Sequence, residues 1–246
     1  MIASLPMYDR PETRAANERY WQAIRAELGF GPEGLTHGGD LWAHWEAPDL
    51  LFSQTCGYPY RARLHGHVTL VGTPDYGLEG CGPGEYCSVF VVRADDPRTE
   101  LADFAAARFA YNEPLSQSGW AAPQNHAAGL GFAFSNTQQT GGHRFSAEAV
   151  AEGRADIAAI DALTWRMIRR YDGFAADLRE LAHTAPTPVL PYITRKGQPP
   201  EPLFAAIEAA IARLDEDTRQ TLCLEGLVAI PAEAYLAIPN PPAPAS

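Results

Sequence analysis

The order of apolar segments predicts an α/β protein, on three observations. Short apolar runs recur along the 246-residue chain, and stretches with helical spacing separate them. Strand alternating with helix implies parallel sheets covered by helices. Apolar residues make up 46% and charged residues 20%, the balance of a chain that buries a core. The length suffices for one large domain or two small lobes.

The elements follow in order. Ile2–Tyr8 is extended and broken by Pro6. Asn17–Leu28 is a helix, with Tyr20, Trp21, Ile24 and Leu28 on one face, and the glycines of 29–34 stop it. Asp49–Ser53 and His67–Gly72 are strands. The first leads into the polar turn Gln54–Tyr58, and the second into the loop Thr73–Gly84, with four glycines and two prolines. Cys87–Arg93 is the strongest strand. Leu101–Ala107 is a short helix, and Arg108–Tyr111 is a strand entering the polar segment Asn112–Gly119. A helix over 145–153, a strand Ala155–Ile160, a helix Asp161–Tyr171 and a strand Leu178–Thr184 come next. Helices over Pro202–Leu214 and Asp215–Leu222 complete the order, and the proline- and alanine-rich tail from Pro239 reads as loose.

Charge and composition exclude several functions. The formal net charge is −11, which argues against nucleic acid as a partner, because phosphate backbones need a clustered basic surface. A small anion is not excluded, since local donors act inside the Debye length of about 8 Å. No apolar run approaches the ~18 residues of a membrane-spanning helix. Met1–Pro6 has neither a basic nor an apolar leader region. The expected location is therefore periplasmic if a leader has been removed and cytoplasmic if Met1 is native. Cys56, Cys81, Cys87 and Cys223 have no CxxC spacing and read as buried thiols. A Cys56–Cys81 disulfide would need an oxidising compartment. His65-Gly-His67 has no visible third ligand, so no metal is expected, and no cofactor motif is present.

In α/β sheets ligands gather outside the carboxyl ends of strands, which directs attention to loops 54–58, 112–119 and 140–146. The second is the richest. Ser116 and Ser118 carry hydroxyls, Gly119 permits close backbone approach, and a helix start there would supply N–H donors to an anion. The plain alternative is a serine N-cap. Tyr8 and Tyr58 sit where a pocket rim is expected and either cover a ligand or pack in the core. Gln54 and Thr55 either donate to a ligand or stabilise their turn. Of Tyr86 and Ser88, one simply alternates outward from its strand. His143 either donates to an anion or is simply exposed or capping its helix. Asp161 either meets a cationic group or caps the helix that follows it.

Arg108-Phe-Ala-Tyr-Asn-Glu-Pro-Leu-Ser-Gln-Ser-Gly119 resembles the strand, loop and Ser-Thr-Ser-Gly helix start of the phosphonate- and phosphate-binding components of ABC transporters, the PhnD-like family. Tyr86–Pro97 resembles the strand and hinge before it. Gly141–Asp161 resembles the family's Gly-x-His, helix and strand ending in Asp, and Pro186–Lys196 its return crossing. The resemblance covers most of residues 1–197 in order. It implies a type II periplasmic-binding fold: two lobes, each a mixed sheet flanked by helices, joined by two crossing strands near Val92–Asp95 and Pro191–Arg195. Lobe one would be 1–93 plus 195–246, and lobe two 94–194. It also implies a small, anionic, phosphonate- or phosphate-like ligand captured in the inter-lobe cleft, with Tyr86, Ser88, Asn112, Glu113, Ser116, Gln117, Ser118, Gly119, His143 and Asp161 among the ligand-binding residues. A monomer delivering that ligand to transporter membrane subunits, without catalysis, is the implied function. Gln117 stands where the family has Ser or Thr, and Glu113 where it has aspartate. The alternatives are a cytosolic enzyme on the same fold, similar to certain menaquinone-pathway enzymes, and a ligand-sensing protein.

Overall fold

A computed structural model, which describes residues 1–244, contains twelve strands among the described residues, the longer ones built on the apolar runs. In chain order they are β1 (Ile2–Ser4), β2 (Leu50–Gln54), β3 (Val68–Asp75), β4 (Glu85–Tyr86), β5 (Ser88–Arg93), β6 (Phe109–Tyr111), β7 (Thr137–Gln139), β8 (Ile157–Asp161), β9 (Leu178–His183), β10 (Thr187–Pro188), β11 (Tyr192–Arg195) and β12 (Gly226–Val228). Residues 245 and 246, the end of the tail read as loose and placed in lobe one, lie outside the described residues. The chain divides into two compact units. The first is Met1–Glu85 with Pro188–Ala237; the second is Tyr86–Thr187 with the tail from Ile238.

The first unit holds the sheet β1-β2-β11-β3-β12. β1 and β2 run parallel, while β11 is antiparallel to both β2 and β3, and β12 is antiparallel to β3. The sheet is therefore mixed, as the family resemblance implies, and not wholly parallel. Returning strand β11 enters between β2 and β3, which forces antiparallel pairs. Helix Arg14–Leu28 buries Ala16, Tyr20, Trp21 and Ile24, a stripe at three- and four-residue spacing. It starts three residues before the expected position and ends where Gly29 takes φ 74°, a left-handed cap that suits glycine. Helix Glu201–Arg213 packs beside it through Leu203, Ala206, Ile207 and Ala210. Trp21 stacks on Phe52 of β2, with centroids 5.9 Å apart. Gly226–Val228 and helix Ala232–Leu236 fall outside the sequence reading; both are short and lack a clear period.

The second unit holds the sheet β7-β6-β8-β5-β9, again mixed. β6 is parallel to β7 and β8, and β5 is antiparallel to β8 and β9. Val89, Phe90, Val91 and Val92 are buried on both faces, as a central strand requires. Ala147 and Val150 of helix His143–Ala151, and Trp165 and Ile168 of helix Ala162–Tyr171, pack on Val89, Val91 and Ile160. Each fully buried Val or Ile contributes about 1.5–3 kcal/mol.

Three boundaries differ from the expected ones, one of them the tail from Ile238, expected in lobe one and grouped with the second unit. β5 pairs from Ser88 to Val92 with β8 and from Val89 to Arg93 with β9, so the crossing precedes it, at 85/86 rather than 92–95. The return crossing falls at 187/188, because β11 is wholly a member of the first sheet. The expected helix Leu101–Ala107 is only a 3-10 turn, Leu101–Phe104, closed by a capping box between Glu100 and Asp103. No helix of the described residues is long and apolar enough to cross a membrane.

A charged clasp holds the loop after helix Arg14–Leu28. His37 lies between two carboxylates, with Nδ1 2.8 Å from Asp9 and Nε2 2.7 Å from Glu18. Glu18 also accepts the Leu35 N–H at 3.2 Å. Burial disfavours the imidazolium, but the hydrogen bonds to Asp9 and Glu18 outweigh it, and the pKa of His37 is raised. Its stabilising contribution is thus full below the ordinary pKa of about 6.5 and is lost as pH rises through the folded value. His37→Ala is expected to cost up to about 1 kcal/mol at pH 6, as for a partly exposed pair, and almost nothing at pH 9. Urea titrations at the two pH values measure this; an equal cost at both would refute the clasp.

Candidate functional site

Thirteen of the fourteen candidate residues are buried or half-buried, and the structure sorts them by unit. In the second unit, β6 ends at Tyr111 and the chain turns through Asn112–Leu115 to Ser116. Ser116 is extended, with φ −81° and ψ 128°, and its Oγ accepts the Gly119 N–H at 2.9 Å. It is a true N-cap, as the plain reading of the serines holds. Its carbonyl accepts Trp120 N–H at 3.2 Å and Ala121 N–H at 2.9 Å. The first turn, Gln117–Ala121, is therefore wide, and the regular helix runs over Ala122–Gly129. Pro123 contributes to this widening, since it has no N–H to return to the carbonyl of Gly119. Helix starts lack carbonyl partners for their own N–H groups, and the dipole there favours negative charge.

Ser118 is buried, and its Oγ lies 2.8 Å from Nε2 of His143. His143 opens helix His143–Ala151 behind Gly142. Loop 140–142 is held over the end of β6: Thr140 N–H donates to the Tyr111 carbonyl at 2.9 Å, and Gly141 N–H to that of Asn112 at 3.0 Å. Burial depresses the pKa of His143 to about 4, so the ring is neutral at pH 7. Ser88 Oγ donates to the Ser118 carbonyl at 2.9 Å, and Ser88 N–H donates to Thr184 Oγ1 at 2.9 Å. Ser88 thus supports the helix start from behind.

Asn112 lies against Gly119. A Cβ on Gly119 would fall 1.9 Å from Asn112 Oδ1 and 3.2 Å from His143 Cε1. Asn112 Oδ1 is buried and has no hydrogen-bond partner among the described residues. Gln117 is buried in the same turn. The structure thus brings Ser88, Asn112, Ser116, Gln117, Ser118, Gly119 and His143 together at one helix start.

The remaining candidates stand differently. Glu113 is exposed and accepts from Gln139 Nε2 at 2.9 Å, toward the β7 edge. Asp161 is buried opposite Ser88 in the β5–β8 ladder, and its carboxylate accepts Thr164 N–H at 2.8 Å as the N-cap of helix Ala162–Tyr171. Tyr86 is buried in β4, which pairs with β10. Two arginines of this unit are held by acids: Arg108, ahead of β6, binds Asp156, and Arg144, beside His143, binds Asp172 at 2.8 Å.

In the first unit, Gln54 is committed internally, with Nε2 donating to Tyr76 Oη at 3.1 Å and to the Leu190 carbonyl at 3.0 Å. Thr55 is fully buried, and its N–H donates to the Pro191 carbonyl at 3.1 Å. Tyr8 is buried edge-on to Tyr76, with centroids 5.5 Å apart, and Tyr58 lies under the Arg61 guanidinium at 4.3 Å. These contacts match the packing and turn-stabilising alternatives. Sequence reasoning did not single out Thr140, Thr184 and Tyr76, because a lone hydroxyl in a strand or loop carries no local signal. Among the described residues no group of three His, Cys, Asp or Glu could hold a metal, and no disulfide joins the four cysteines.

Two mixed α/β units with a polar helix start at the end of a strand are the arrangement that the family resemblance implies for a two-unit solute-binding protein. The family model for the phosphonate periplasmic substrate-binding protein of ABC transporters matches residues 48–234. The chain belongs to that family. Among solved structures it is similar to PhnD1 of Prochlorococcus marinus in complex with methylphosphonate, at 14% identity over 95% of this chain and 94% of that one, with a TM-score of 0.75. A binding-protein component of an ABC phosphonate transporter from Pseudomonas aeruginosa aligns at 15% identity over 93% and 81%, TM-score 0.72. A Xanthomonas citri protein bound to ATP aligns at 16% identity over 95% and 92%, TM-score 0.68. At such identities the likeness shows the shared type II fold. No curated protein matches the sequence.

Proposed function

We propose that the chain is the periplasmic receptor of an ABC importer and that its second unit binds a phosphonate or phosphate at the helix start Ser116–Gly119. The observation that carries this reading is the 2.8 Å Ser118–His143 hydrogen bond at a capped, wide first turn. A buried hydroxyl, within hydrogen-bond reach of the His143 ring, stands there beside helix-start N–H groups, donors that suit an oxyanion. The P. marinus relative, solved with methylphosphonate, supports the ligand class. Delivery to membrane subunits follows from the family. Catalysis is not part of the proposal. Ser118 and His143 have the spacing of a nucleophile and its base, but burial lowers the pKa of the imidazole to about 4, which makes it a weak base.

A thermal-shift series with methylphosphonate, aminoethylphosphonate, phosphate and sulfate tests the reading. A ligand at 100 times its Kd adds about 2.7 kcal/mol of stability. Ser118→Ala is expected to weaken the best phosphorus ligand by about 1–3 kcal/mol, or roughly 5- to 150-fold, the cost of a charged group short of one hydrogen bond. Isothermal titration of the variant reads this directly. Unchanged affinity would remove Ser118 from the site, and no shift from any phosphorus oxyanion would overturn the ligand class.

A further inference from the structure

The tail does not run loose over the described residues. From Ile238 it leaves the first unit and groups with the second, a third passage of the chain beyond the two at 85/86 and 187/188. Its attachment to the first unit is firm. Tyr235, three residues before Ile238, is fully buried, donates from Oη to the Val189 carbonyl at 2.8 Å, and lies 2.6 Å from Thr73 Oγ1. Beyond Ile238 the tail accepts two side-chain hydrogen bonds from one helical segment. Trp120 Nε1–H donates to the Pro242 carbonyl at 3.0 Å, and Asn125 Nδ2–H donates to the Pro239 carbonyl at 2.9 Å.

Both donors belong to the segment that carries the candidate site. Trp120 lies in the wide first turn Gln117–Ala121, one residue after Gly119, and Asn125 lies in the regular helix that continues it. Trp120 is itself buried, with its ring 4.9 Å from Tyr111 at the end of β6. Four of the seven residues from Ile238 to Pro244 are proline. Proline fixes φ and lowers the entropy lost on ordering, so an extended proline-rich segment can be held by few bonds. Proline lacks the N–H but keeps its carbonyl, which is the group used in both contacts.

We infer that Ile238–Pro244 is a strap that positions the ligand-binding helix start, with Trp120 and Asn125 as its positioning residues. The wide first turn has fewer regular ladder bonds than a helix interior, and the strap supplies an external hold where the ladder is weak. The inference rests on the reading of Ser116–Gly119 as the ligand site. Trp120 and Asn125 act on the ligand through the turn they hold.

The test uses full-length Trp120→Phe/Asn125→Ala, which keeps an aromatic ring at 120 and removes both donors to the tail, and a second chain ending at Ala237. Amide hydrogen exchange without ligand is followed at residues 117–122 and, as a reference, at β5 and β8. Methylphosphonate affinity is then titrated. Expected in both variants are exchange about tenfold faster at 117–122, unchanged exchange in β5 and β8, and affinity reduced about fivefold. Unchanged exchange at 117–122 in the double variant would overturn the strap, as would a uniform acceleration that includes β5 and β8. If the wild type binds no phosphorus oxyanion, the ligand reading fails while the exchange arm still decides whether the tail holds the turn. Faster exchange with unchanged affinity would leave the tail a mere helix clamp and refute its positioning role.

Discussion

Gly119→Ala is expected to lower methylphosphonate affinity at least tenfold and to destabilise the second unit. Gly119 does not have a left-handed backbone, so space and not conformational freedom is what glycine supplies there. Elsewhere in a helix, alanine for glycine gains up to about 1 kcal/mol. Here the added methyl would stand 1.9 Å from Asn112 Oδ1, 2.9 Å from its Cγ and 3.2 Å from His143 Cε1. Overpacking of this kind costs about 1–3 kcal/mol, which exceeds the propensity gain. The Asn112 side chain can swing away, but that removes it from the helix start. The 3.2 Å approach to His143 then presses on the partner of Ser118. Asn112→Ala/Gly119→Ala separates these causes. The double variant is expected to recover stability by more than about 0.5 kcal/mol over the sum of the single changes, the signature of contacting residues. Its affinity is expected to stay low, since the contact with His143 remains. Urea unfolding and calorimetric titration of the three variants measure both effects. Wild-type stability and affinity in Gly119→Ala would show that the turn relaxes freely and is not a close-fitting site.

Much of this was readable beforehand, for reasons that show in particular residues. The run Val89–Val92 is apolar without alternation, which marks a central strand buried on both faces. Helix Arg14–Leu28 follows from the spacing of Tyr20, Trp21 and Ile24. Ser116 as an N-cap agrees with residue chemistry alone, whereas the crowding at Gly119 comes from the Asn112 and His143 side chains and leaves no mark in the sequence. Which sheet a strand joins was not readable. Cys87–Arg93 reads as a strand from its composition, but its long-range pairing with Ile157–Asp161 and Leu178–His183 decides its unit. The same holds for polar residues in the first unit. Gln54 has donors suited to a ligand, and only the positions of Tyr76 and Leu190 show where its amide donates. The tail misleads by composition. Proline and alanine suggest looseness because they offer few donors, while the carbonyls that Trp120 and Asn125 use leave no mark in the sequence.

Lowering the pH from 6.5 to 4 is expected to remove about 3 kcal/mol of stability through His143 alone. In the unfolded chain this histidine takes up its proton near pH 6.5; in the folded unit burial delays uptake to about pH 4. Between these values the unfolded state binds more protons, so stability rises with pH across the window and levels off on either side. Each pKa unit is worth about 1.4 kcal/mol, which sets the total. His37 acts on the opposite side, losing its contribution as pH rises above 6.5. Carboxylates also drive acid unfolding, and the effect is therefore read as a difference between the wild type and His143→Gln. The amide can replace the hydrogen bond to Ser118 but does not titrate. Its acid limb is expected to be flatter by about 3 kcal/mol in urea titrations between pH 6.5 and 4. A bound oxyanion would favour the imidazolium and raise its pKa, so ligand binding near pH 5 is expected to take up protons. Titration calorimetry in buffers of different ionisation enthalpy reads that uptake. Parallel acid limbs for the two proteins would mean that water or a structural opening reaches His143. Proton-neutral binding would place the oxyanion away from the imidazole, and with it away from Ser118.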